Sequence, residues 1–184
     1  MGFDILLIGV ILLANPFHAA TDLIAAVITA VAVKRAEGML RDFKKARLFS
    51  YGLIAIGALE FVFRYIFPTQ LWLGIAEIWR WGLLISIETY LISGIMDFAM
   101  INENAEIYKK SENLKKPIYI SCAIAACLEA CSVIWSEVQM ISFIWKLAAA
   151  VIIAMPASVI FLCNKESATK EAKTNIEENT EDKS

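Results

Sequence analysis

The residues best placed to do chemistry are four acids set inside apolar runs: Asp22, Glu60, Glu88 and Glu129. A carboxylate at bilayer depth is expensive even on lenient insertion scales, so it turns toward a bundle interior and has a partner or a task there. Holding a proton or a cation is the chemistry such groups perform. His18, the only histidine, stands four residues before Asp22, and Asn15 falls on the same stripe. That spacing lets an imidazole exchange a proton with the acid or hydrogen-bond across helices. Arg64, Glu77, Arg80 and Lys146 complete the charged set, and Glu60/Arg64 and Glu77/Arg80 have the spacings of ordinary helix ion pairs.

Turning each run at the helical angle gives every helix one polar or small face. The stripes are Asn15, His18, Asp22 and Thr29; then Gly57, Glu60 and Arg64; then Glu77, Arg80, Leu84 and Glu88. Two more follow, Cys122, Ala125, Glu129, Ser132 and Ser136, and Ser142, Lys146, Ala149 and Pro156. Faces of this kind meet inside helical membrane bundles. Counted along each helix, Asp22, Glu60, Glu88 and Glu129 fall in one layer near mid-bilayer. Arg64, Arg80 and Lys146 lie above it, with Glu77 near the outer boundary.

The elements that must position these groups are five expected spans. They run from Ile5 to Val33, Leu48 to Phe67, Leu71 to Ile101, Ile118 to Ser136, and Ile141 to Cys163. Hydrophobic residues make up 59% of the 184 residues and mean hydropathy is +0.61, beyond the composition of soluble domains. The fold class is therefore all-α, a five-helix transmembrane bundle over 1–163, followed by a disordered acidic tail over 164–184. The first run is expected to be one tilted helix kinked at Pro16 and retained: its start carries Asp4 where a signal peptide has Lys or Arg.

Lys and Arg set the orientation. Lys34, Arg35, Arg41, Lys44, Lys45 and Arg47 follow the first span, and Lys109, Lys110, Lys115 and Lys116 follow the third. The turns at Pro68 to Gln70 and Glu137 to Met140 have no base. The expectation is a multi-pass cell-membrane protein with its N-terminus outside and its tail in the cytoplasm. Tyr65, Trp72, Trp79, Trp81 and Trp135 read as an interfacial belt. Between Lys34 and Arg47, a short amphipathic helix would turn Met39, Leu40 and Phe43 toward lipid. A faint parallel repeat lays Ser50–Glu60 over Tyr119–Glu129.

No phosphate loop, H-E-x-x-H or G-x-S-x-G is present, and one histidine cannot build a bis-histidine haem site. Cys122, Cys127, Cys131 and Cys163 lack zinc spacing. No catalytic residue, metal site or cofactor is assigned, and no nucleic-acid partner is implied by a charge of −2 that the tail dominates. Expected partners are the lipid bilayer, a proton or cation, and a second copy or a larger membrane complex. Three functions fit: an intramembrane pathway for a proton, cation or small polar solute; a sensor, scaffold or accessory subunit with structural charges; and an intramembrane enzyme using scattered carboxylates.

Overall fold

The computed structural model describes residues 3–14, 19–36, 41–66 and 70–181. Among the described residues every regular element is a helix. In chain order these are α1 (Phe3–Leu13), α2 (Ala19–Ala36), α3 (Arg41–Tyr65), α4 (Gln70–Ile101), α5 (Ala105–Ile134), α6 (Val138–Ala154) and α7 (Pro156–Glu181). Four segments are long and apolar enough to cross a membrane: Asp42–Tyr65, Leu71–Ile101, Ala105–Ile134 and Val138–Thr169. The last joins α6 to the start of α7. At that junction Met155 keeps helical dihedrals, while Pro156 supplies no N–H and opens the next helix.

The expected first span is not one kinked helix. It is a hairpin of α1 and α2, with Asn15 to His18 between them outside the described residues. A Cβ built on Gly9 would fall 2.6 Å from Thr29 Oγ1 and 3.2 Å from Thr29 Cα. In a continuous helix those two residues would stand about 30 Å apart. Pro16 falls in the stretch between them, and a proline cannot donate to a helix ladder and disfavours helix before it. Folding back then buries Leu6, Val10 and Leu13 along with Ala25, Ala26, Ala32 and Val33.

The hairpin also relocates the start of the chain. The Phe3 ring lies 6.5 Å from that of Phe43 and 5.1 Å from that of Phe98, at the start of α3 and near the end of α4. The N-terminal helix thus begins at the end of the bundle where α2 finishes. A single helix over Ile5 to Val33 puts it at the opposite end. Lys34, Arg35, Lys44, Lys45, Lys109 and Lys110 gather at this basic end. Tyr65, Trp72 and Trp135 mark the other, aromatic end.

α3, α4, α5 and α6 alternate in direction. Phe49 stacks on Tyr90 at 5.5 Å, and a Cβ on Gly94 would fall 2.6 Å from Phe43 Cε1. On the far side of α4, Lys115 Nζ donates to Ser93 Oγ at 3.4 Å, while Gly74 packs against Val133. Trp145 Nε1 donates to the Ser121 carbonyl at 3.0 Å, tying α6 to α5. α4 sits innermost, burying Leu84, Ile87, Leu91, Ile92 and Ile95.

Three further readings change. Phe43 is buried against Phe3 and α4, because α3 already begins at Arg41 and carries it inward. Trp81 is 1% exposed while Trp72 and Trp79 are exposed, since Trp81 shares the helical sector of Glu77, Leu84 and Glu88. The backbone of the segment expected to be a tail is helical to Glu181, in keeping with its content of Ala, Glu and Lys. There Ser167 is buried, and Asn104, which caps α5 by accepting from Ile107 N–H, donates to Glu166.

Candidate functional site

The polar faces of α3, α4, α5 and α6 converge near the aromatic end. Arg80 is 3% exposed, and its Nη1 donates to Glu77 Oε2 at 3.0 Å, while its guanidinium lies 5.5 Å from the Trp81 ring. Lys146 reaches from α6 and places Nζ 2.8 Å from Glu129 Oε2 and 3.8 Å from Glu77 Oε2. Ser142 Oγ donates to the same Glu129 oxygen at 2.9 Å, and Ser132 Oγ donates to the Glu129 carbonyl at 2.8 Å. One chain of charges therefore runs from Arg80 through Glu77 and Lys146 to Glu129, crossing three helices.

On α3, Arg64 Nη2 donates to Glu60 Oε1 at 2.8 Å, and Glu60 is 2% exposed. Arg64, Glu77, Glu129 and Lys146 line a common cavity of about 550 Å³, with Gly74, Ser132 and Gln139 among its walls. Glu60, Glu77 and Glu129 balance Arg64, Arg80 and Lys146, so the group is neutral as a whole. Pairing is what makes charge tolerable in an apolar bundle.

The two tiers expected from the sequence merge. Glu60 and Glu129, read as a lower layer, pair with Arg64 and Lys146, read as an upper one. The reason lies in where the helices begin. A span that begins at Ile118 sets Glu129 low, whereas α5 starts at Ala105 and runs through Pro117 without a break. Glu129 then stands about 36 Å along α5, matching the distance of Glu77 from the opposite end of α4.

Glu88 is not part of the cluster. It lies about 16 Å farther along α4 than Glu77, fully buried, and neither of its oxygens has a hydrogen-bond partner among the described residues. Glu60 Oε2 is likewise buried without one. The backbone of Asp22 sits in the first turn of α2, beside Leu23, which packs over Gly57 of α3. The Asp22 side chain, and Asn15 and His18 entirely, lie outside the described residues. Among the described residues no group of His, Cys, Asp and Glu is arranged to hold a metal ion, and the four cysteines are free thiols.

Sequence reasoning missed Gln139, which faces the cavity from the first turn of α6. Its neighbours in sequence look like a turn, and only the position of the helix start reveals its direction. No protein-family model, no curated protein and no solved structure matches this chain.

Proposed function

We propose that the chain is a multi-pass membrane protein that takes up a small polar solute or a cation in the charged cavity and moves it across the bilayer. The supporting observation is the cavity itself, lined by Arg64, Glu77, Glu129 and Lys146 among apolar helices. Ion pairs alone need no open polar space beside them. A cavity of about 550 Å³ falls within the range of small-molecule sites. In this reading the basic end faces the cytoplasm, the cavity opens outward, and both chain termini lie on the cytoplasmic side. Glu88, between the cavity and the basic end, holds the proton or cation on its way through.

Flux into proteoliposomes tests this, with dyes for protons, sodium and potassium and radiolabelled small zwitterions as probes. Wild type should exceed empty vesicles for at least one of them, and Glu129→Gln and Glu88→Gln should each cut that flux at least tenfold. Flux equal to empty vesicles for every probe would remove transport.

The pairing of Glu77, Glu129, Arg80 and Lys146 favours a second reading, in which the protein is a membrane sensor, scaffold or accessory subunit and its charges lock α4, α5 and α6 together. Co-purification of a stoichiometric membrane partner, with no flux, would support it.

A further inference from the structure

We propose that the charged cavity is a binding site for a neutral amino acid with an apolar side chain, held by Arg64 at its carboxylate and by Glu77 and Glu129 at its ammonium. The two acids spend their pairing on one oxygen each. Oε2 of Glu77 accepts from Arg80 at 3.0 Å, and Oε2 of Glu129 accepts from Lys146 at 2.8 Å and from Ser142 at 2.9 Å. Among the described residues, Oε1 of neither carboxylate accepts a hydrogen bond. From α3, Arg64 donates to Glu60 through Nη2, and its Nε and Nη1 have no acceptor among the described residues. Its side chain is 42% exposed. The wall of one cavity thus presents open acceptors and open donors together.

That combination selects the ligand. Lys146 Nζ already stands between the two acids, 2.8 Å from Glu129 and 3.8 Å from Glu77. A lone cation would set its charge beside that ammonium with nothing to offset it. A lone anion would reach Arg64 only in the presence of both carboxylates. A zwitterion brings both signs in one molecule, and each meets a charged partner of the opposite sign, where hydrogen bonds are strongest. Leu71, Leu73 and Val133 line the same cavity and carry no charge, so the substituent they face is apolar.

This inference rests on the reading of the cavity as a solute site, but its test needs no flux. The full chain, purified in a neutral detergent, is offered radiolabelled alanine, valine, leucine, isoleucine, methionine and phenylalanine in a scintillation proximity assay. At least one should bind saturably. Its amide, which lacks the carboxylate, and its desamino acid, which lacks the ammonium, should each compete about tenfold or more weakly, the scale of one lost hydrogen bond to a charged group. Arg64→Gln should abolish the preference over the amide and keep that over the desamino acid. Glu129→Gln should do the reverse.

Saturable binding of none of the six overturns the inference and leaves transport of another solute standing. Binding without flux upholds the site and removes transport. Equal competition by the amide or the desamino acid overturns it, because one charge would then suffice. A variant that loses affinity for all three compounds alike also overturns it, since a purely structural role has that signature. If either variant unfolds, the wild-type comparison of the three compounds decides alone.

Discussion

At the scale of single residues, the decisive contact is Lys146 between two carboxylates. Removing it strands Glu129, left with the Ser142 hydroxyl, and weakens the compensation of Glu77. Breaking a buried pair from one side costs about 3–5 kcal/mol. Lys146 and Glu129 keep side-chain exposures of 17% and 13%, so about 2–3 kcal/mol is the appropriate scale here. Lys146→Met should therefore lower thermal stability in detergent, and adding Glu129→Gln should return part of the loss. Melting of the two single variants and the double variant checks this, and simple additivity of the losses would show that the pair is uncoupled. Much of this site was legible, because acids and bases are rare inside apolar runs. The in-helix pairs Glu60/Arg64 and Glu77/Arg80 follow from spacing alone. What spacing could not give was the partner of Lys146. That depends on how far α5 extends beyond its apolar stretch, and the lysines before Pro117 concealed it.

At the scale of elements, α3 to α6 follow the hydrophobic pattern, whereas the α1–α2 hairpin does not. Periodicity measures how apolar a stretch is and reports nothing about whether it turns back on itself. The information was present in two residues. Pro16 has no N–H to give a helix ladder, and Gly9 supplies a surface flat enough for Thr29 to approach. A side chain at Gly9 must displace not only the Thr29 hydroxyl but also the backbone of α2, 3.2 Å from the added atom. Gly9→Val should separate the two helices and destabilise the bundle by about 1–3 kcal/mol, the usual cost of overpacking. Gly82, where an added Cβ meets nothing within 4 Å, is the control. Gly82→Ala should match or slightly exceed wild type, since alanine favours helix by about 1 kcal/mol. Comparable melting of Gly9→Val and wild type would show that the close approach does not hold the hairpin.

For the whole molecule, the hairpin changes the arithmetic of crossing. An odd number of spans had agreed with a charge bias that retained the tail and exported the start of the chain. Pairing α1 with α2 leaves, among the described residues, four segments long and apolar enough to cross, Asp42–Tyr65, Leu71–Ile101, Ala105–Ile134 and Val138–Thr169. An even number returns the chain to its side of origin. The hairpin begins at the same end, because Phe3 packs beside Phe43 and Phe98. In the membrane reading proposed above, the positive flanks stay at the basic end and the charge rule then retains both termini. Short epitope tags at the two termini, probed on intact cells and after permeabilisation, read this directly. Both should be protected until the membrane is opened, and a tag inserted at Glu137, in the short turn at the aromatic end, should be accessible throughout. Exposure of the N-terminal tag alone would mean that the first apolar run crosses once in the membrane, and that the contact of Gly9 with Thr29 does not persist there.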